Sequence, residues 1–266
     1  GYLSHCIDSL ARQTLYPHWE LIVVDHDSQD PDALNYISDL NDCPPFVQRI
    51  EVVRTSGEFN YSRLCNLGAS LAQGEFFLFL DNDTEIIQPS WLGDLLGQLQ
   101  QPGVAAVSPR LSKPDGKFSL VQSGPRALGV GGLAAGIAAG ETSLIEPGYC
   151  GRLQVAQDSS ALSGSCLMVS TKAFAQAGGF NETDTGVFES VLELCLKFRK
   201  AGLRLIWTPW IDVVHHDGIT RKRLESDVMK RTHMTEQILA ERDYFYKNHL
   251  TELADDPYYH RHLSLN

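Results

Sequence analysis

A chain of 266 residues, 43 % hydrophobic and 21 % charged, suits one large globular domain or one and a half, with a core that needs no covalent staples. Its net charge of −11 excludes a nucleic-acid groove and a generic anionic-membrane surface, though not a phosphate ligand that arrives with its own divalent cation. Six scattered cysteines show no Cys-x-x-Cys pair, and four of them sit in apolar or helical contexts where a small thiol is usually buried, which predicts a reducing cytosol and no disulfides. No stretch has the length and apolarity of a membrane span, and no signal peptide opens the chain.

Apolar residues at helical spacing over 3–10 predict a first helix, with Pro17 closing that region. A buried strand over 19–25 ends in Asp25. The polar loop from His26 to Pro31 leads into a helix over 32–40. A strand is predicted over 49–54, a helix over 61–72 and a strand over 74–80. Helix, strand, helix, strand, helix, strand is the pattern of a doubly wound α/β sheet with parallel pairing. A helix over 91–99 and a strand over 104–109 follow. Gly and Pro are dense from Arg110 to Gly151, which predicts loops and short strands. Beyond lie a strand over 166–169, a short helix over 171–177, an amphipathic helix over 187–201, strands over 204–207 and 213–216, and a helical tail over 224–248.

The run Phe76-Phe77-Leu78-Phe79-Leu80 is all apolar and ends abruptly in Asp81-Asn82-Asp83. Such a run reads as a strand buried on both faces. Its C-terminal end lies on the rim where open α/β sheets bind ligands. Two carboxylates one residue apart, on a chain leaving that strand, can turn toward one hard cation such as Mg²⁺ or Mn²⁺. The bland alternative is a polar turn, since Asp and Asn favour turns for local reasons.

The ordered set Val24-Asp25 with Ser28 and Asp30, Phe59-Asn60-Tyr61-Ser62 with Asn66 and Gly68, and Gly74-Glu75 with Leu80 to Glu85 resembles the family-2 glycosyltransferases of GT-A fold. The later motifs are similar to the rhamnosyltransferase and O-antigen branch. They are Glu146-Pro147-Gly148-Tyr149, Gly178-Gly179-Phe180-Asn181-Glu182, Leu194-Cys195-Leu196-Lys197 and Trp207-Thr208-Pro209 with His215-His216. The resemblance covers roughly residues 1–220. It implies a glycosyltransferase domain there, with a nucleotide-binding half over 1–110, an acceptor half over 111–220, and a separate helical tail over 221–266.

The resemblance also assigns roles. Asp25 would contact the nucleoside, and Asp81 and Asp83 the metal and ribose. Arg63 or Asn66 would reach the nucleotide. One of His215 and His216 would complete the metal site, since adjacent strand residues face opposite ways. The implied cofactors are Mg²⁺ or Mn²⁺ and a UDP- or dTDP-sugar donor. The implied acceptor is a polysaccharide or lipid-linked glycan, approached from the cytoplasm at the inner face of a membrane. A homodimer is left open, and no nucleic-acid partner is expected.

Two departures from the family pattern stand out. Counted back from Leu194-Cys195, the family's catalytic base falls on Val191. Counted forward from Phe180, it falls on Glu189 or Ser190. Glu189 is the preferred base, with Glu193 four residues on, and the rival reading is a catalytically degenerate copy that binds without transferring. The second departure is the start. Relatives open with a central strand that this chain lacks, which predicts either a chain cut short or a strand supplied from elsewhere, including a partner chain.

Overall fold

A computed structural model of the protein describes residues 1–40, 47–114, 120–138, 142–216 and 228–264, leaving aside the side chains of 228–231. Helix α1 (Tyr2–Gln13) precedes strand β1 (Glu20–His26). Helix α2 (Pro31–Asp39) starts where Asp30 accepts a hydrogen bond from the Asp32 amide and Pro31 supplies a preset φ. Strand β2 (Arg49–Thr55) leads to α3 (Tyr61–Leu71), capped by the Asn60 side chain on the Arg63 amide. Then come β3 (Phe76–Leu80), β4 (Thr84–Ile86), α4 (Trp91–Leu99) and β5 (Val104–Ser112). The Gly-rich middle forms short strands β6 (Val121–Ser123), β7 (Arg126–Leu128), β8 (Ala134–Gly136) and β9 (Gln157–Asp158). Strand β10 (Cys166–Ser170), α5 (Thr171–Gln176), α6 (Ser190–Lys200), β11 (Arg204–His215), α7 (Val228–Asn248) and α8 (Leu250–Ala254) complete the chain.

The architecture is α/β, as expected, but the pairing is mixed and falls into separate ladders. Strands β3, β10, β5, β11 and β4 pair in that order, with β6 on β5 and β9 on β11. Within this sheet β11 runs parallel to β5, whereas β10 runs antiparallel to both its neighbours. The long segment between β5 and β10 contains no described α-helix, only a short 3₁₀ turn over Tyr149–Gln154, so β10 is not obliged to return parallel. Strands 204–207 and 213–216, expected as two, are one. Pro209 lacks an amide, but it sits where the register shifts between Thr208 and Asp212, so no ladder bond is asked of it.

Strands β1 and β2 form a parallel pair of their own. Beyond that pairing β1 has no strand neighbour, and β3 pairs only with β10 among the described residues. Both edges line one cavity of about 1530 Å³. This is why the five apolar residues of β3, expected to be fully buried, are all only partly so. The sheet is therefore not paired throughout: among the described residues no strand bridges β1 and β3. The gap is covered on both faces. Cys6 and Leu10 of α1 pack in the cluster that takes Phe76, Leu78 and Leu80. Cys65 and Ala69 of α3 pack in the cluster that takes Phe77 and Phe79. Gly68 lets α3 approach β1, since a Cβ there would meet Val24 at 3.3 Å.

The segment expected as a tail is integral to the fold. Phe245 is fully buried in the main core. Glu241 accepts three backbone hydrogen bonds, from the amides of Val187, Phe188 and Glu189 at 2.8, 2.9 and 2.7 Å. Residues 224–227 of the expected tail lie outside the described residues. Among those described, Cys6, Cys65, Cys150, Cys166 and Cys195 are free thiols, while Cys43 lies outside them. No described helix is long and apolar enough to cross a membrane.

Candidate active site at the mouth of the cleft

The turn after β3 is locked on several sides. The Asp81 amide donates to the Ser165 carbonyl at 3.0 Å. The Asp81 carbonyl accepts from the Thr84 hydroxyl at 2.8 Å and from the Thr84 amide at 3.2 Å. The Cys6 thiol of α1 sits 3.5 Å from the Thr84 hydroxyl, seating the helix on the turn. Strand β4 then pairs antiparallel with the end of β11, His215 opposite Thr84. That pairing carries a histidine from the far end of the sequence to the two aspartates.

His215 Nε2 lies 3.2 Å from Asp83 Oδ1 and 3.8 Å from Asp81 Oδ2. One ligand atom from each residue lies within 4.8 Å of the others. His215 Nδ1 is 3.0 Å from Gln122 Oε1. With Nδ1–H donated to the Gln122 carbonyl oxygen, Nε2 would present its lone pair to a cation, the outer support that ligating histidines use; a protonated ring instead donates from Nε2 to Asp83 as well. Burial in the cleft raises the Asp81 carboxyl above its ordinary range, against the pull of His215. Burial pushes Asp83 up as well, but the hydrogen bond and charge of His215 outweigh it and hold Asp83 below the usual carboxylate range. Two hard oxygens and one imidazole suit Mn²⁺ or Mg²⁺.

The remaining expected residues divide. Asp25, at the end of β1, is buried on the same cavity wall. Its carboxylate receives Arg54 Nε at 2.8 Å and the Ser28 amide at 3.3 Å. Glu189 also lines the cavity, together with Val191. Val191 packs onto Gly164, where an added Cβ would come within 2.7 Å of it. Glu193 does not line the cavity. It is buried and 3.0 Å from Lys197 Nζ, and burial raises its carboxyl against that pull. Glu189 is the N-cap of α6 and its carbonyl accepts the Glu193 amide at 3.0 Å, yet only Glu189 lines the cavity.

Arg63 and Asn66 do not line the cavity. Arg63 donates to the Glu58 carbonyl at 2.5 Å. Asn66 bonds the Phe180 amide and carbonyl, each at 3.0 Å, and Glu182 at 2.7 Å. It ties α3 to the Gly178-Gly179 turn. His216 faces Glu85 instead of the aspartates, at 3.4 Å. Gln122 escaped sequence reasoning because a lone glutamine in a Gly-rich region carries no signal. Glu241 escaped it because its partners lie about fifty residues away.

Residues 1–176 match the family model for glycosyl transferase family 2. The chain is 33 % identical over 267 residues to the uncharacterized protein y4gI of Sinorhizobium fredii, covering 99 % of this chain and 28 % of that one. It is 30 % identical over 269 residues to the O-antigen biosynthesis protein RfbC of Myxococcus xanthus, covering 99 % of this chain and 19 % of that one. The chain thus spans less than a third of the length of either relative. Among solved structures, GalNAc-T7 with UDP, GalNAc and Mn²⁺ superposes with a TM-score of 0.62 at 17 % identity, covering 81 % of this chain and 41 % of that one. That likeness places the fold with the GT-A glycosyltransferases. With the family model matched over its first two thirds, the chain is a glycosyltransferase domain and belongs to glycosyl transferase family 2.

Proposed function

We propose that the domain transfers a hexose from a nucleotide-diphospho-sugar to a polysaccharide or lipid-linked glycan, with inversion and with a divalent cation. The observation that carries this reading is the convergence of Asp81, Asp83 and His215 at the mouth of a cavity that also holds Asp25 and Glu189. The likeness to an O-antigen biosynthesis protein supports the acceptor class, and the Mn²⁺ and UDP in the GalNAc-T7 structure support the donor class.

Asp81, Asp83 and His215 would hold Mn²⁺ or Mg²⁺. The cation, when bound, neutralises charge that develops on the leaving diphosphate. Asp83 would supply negative charge to the donor set, and His215 its imidazole nitrogen. Asp25, fixed by Arg54, faces the nucleoside end of the cleft. Glu189 removes the acceptor hydroxyl's proton as that hydroxyl attacks the anomeric carbon. Its position depends on Glu241, whose carboxylate holds the amides of residues 187–189.

A second reading is a module that binds the nucleotide-sugar without transferring it. It is favoured by Val191, an apolar side chain on the cavity wall at one alignment of the family's base. Calorimetric titration with UDP, dTDP and GDP in Mn²⁺, followed by product analysis with the matching sugars, separates the two. Transfer or hydrolysis that disappears in Asp83→Asn supports the enzyme. Tight Mn²⁺-dependent nucleotide binding with no turnover on any donor supports the module.

A further inference from the structure

A second group of ligating side chains lies across the β4–β11 pair from the aspartates. His5 Nε2 is 3.2 Å from Glu85 Oε2, and His216 Nε2 is 3.4 Å from the same oxygen. One ligand atom from each of the three lies within 4.8 Å of the others. The two imidazole rings meet edge to face, 6.1 Å between centroids. Three separate elements contribute: α1, β4 and the residue that follows β11. Consecutive residues of an extended chain face opposite sides, so His215 serves one group and His216 the other.

We infer that His5, Glu85 and His216 form a second cation site, selective for a borderline transition metal such as Zn²⁺. The donor set is two imidazole nitrogens and one carboxylate oxygen, which suits Zn²⁺ and not Mg²⁺ or Ca²⁺, whose ligands are oxygens. The spacing fits as well. Tetrahedral Zn²⁺ with bonds of about 2.0–2.1 Å keeps neighbouring ligand atoms about 3.3 Å apart, and the two nitrogen–oxygen distances are 3.2 and 3.4 Å. With the His5 side chain about half exposed, a fourth position faces solvent and takes water.

The site's role follows from what it joins. His5 precedes Cys6, which packs against Thr84, so a cation there pins α1 to the turn that carries Asp81 and Asp83. Glu85 is two residues from Asp83, and His216 is next to His215. The inferred site is therefore a clip that holds the walls of the active site from behind.

The test uses the full chain, freed of metal by dialysis against chelator, on an Asp81→Asn/Asp83→Asn background that silences the first site. Calorimetric titration with Zn²⁺ is expected to leave about one equivalent bound, with a rise in melting temperature. Excess Mg²⁺ is expected not to displace it. His5→Ala and Glu85→Gln, each added to that background and checked for an unchanged circular dichroism spectrum, are expected to weaken Zn²⁺ by at least the roughly 10–100-fold that losing even an outer support of a ligand costs, because each removes one of three ligands. The inference is overturned if the background variant takes up no Zn²⁺, or if both added substitutions leave its stoichiometry and affinity unchanged. Two independent single variants keep the result decisive should one of them fail to fold.

Discussion

His215 and His216 are adjacent in the chain, yet one turns Nε2 to Asp83 at 3.2 Å and the other to Glu85 at 3.4 Å. The alternation of an extended backbone thus separates two polar groups that the sequence presents as one pair. Substitutions at the two positions should have different effects.

His215→Ala and Asp83→Asn are both expected to weaken Mn²⁺-dependent nucleotide binding. Losing even an outer support of a metal ligand costs roughly 10–100-fold in affinity, so losing a ligand should cost at least that. His216→Ala should leave Mn²⁺-dependent nucleotide binding within a few-fold of the parent. Titration of UDP in the presence and absence of Mn²⁺ reads this directly. Equal losses at both histidines would contradict the division.

Glu189→Gln should lower turnover by roughly 10²–10⁴-fold, the usual contribution of a positioned base, while nucleotide affinity stays put. Glu193→Gln should do the reverse. Glu193 is buried against Lys197 and away from the cavity, so its loss should appear in the denaturation midpoint and hardly in kcat. Steady-state kinetics on both variants, alongside urea unfolding, decides between them.

Glu241→Ala should destabilise the protein by about 2 kcal/mol, since three part-buried amides lose their acceptor together. It should also lower kcat, because residues 187–189 carry the proposed base into place. The conservative Glu241→Gln keeps an acceptor and is expected to restore part of both. Urea midpoints and kcat values that fail to move together would separate stability from positioning.

Stability should fall as pH drops through the region just below the ordinary histidine pKa of about 6.5. His249 is buried among Tyr244 and Phe245, and burial, then the Lys200 ammonium beside it, hold its pKa below the ordinary value. In that window the unfolded chain binds a proton that the folded chain refuses, so the fold gains stability as pH rises through it and loses it as pH falls. One such group gives a slope of at most about 1.4 kcal/mol per pH unit. His249→Gln should flatten the dependence, as read from urea midpoints across that range.

Some of this was open to a sequence reading, for physical reasons that can be named. The run Phe76 to Leu80 is apolar without alternation and stops at Asp81, so both the strand and its rim position were visible. The helix Trp91–Leu99 was found to the residue because its apolar spacing is regular. Strand β4 was missed because three residues, Thr84–Ile86, carry no period. The helix expected from Val187 begins at Ser190 because Glu241, far along the chain, takes up the preceding amides. For Asn66 and Arg63 a polar residue on a helix says nothing of which neighbour it will meet. Here the Phe180 turn and the Glu58 carbonyl met them first.

The opening between β1 and β3 has a thermodynamic consequence. Ile7, Val23 and Leu40 form a small apolar cluster over β1 and β2, apart from the two larger clusters on either side of the long sheet. Among the described residues no strand hydrogen bond links these bodies; α1 and α3 join them by side-chain packing and a few isolated bonds, such as the Ser62 amide on the Gly186 carbonyl at 3.0 Å and the Leu15 amide on the Pro89 carbonyl at 3.1 Å. Such coupling is weak beside a shared ladder, and proteins lose structure in contiguous cooperative units. Scanning calorimetry should therefore resolve the β1–β2 half as an early, low-enthalpy transition. The van't Hoff enthalpy taken over the whole profile should fall short of the calorimetric one.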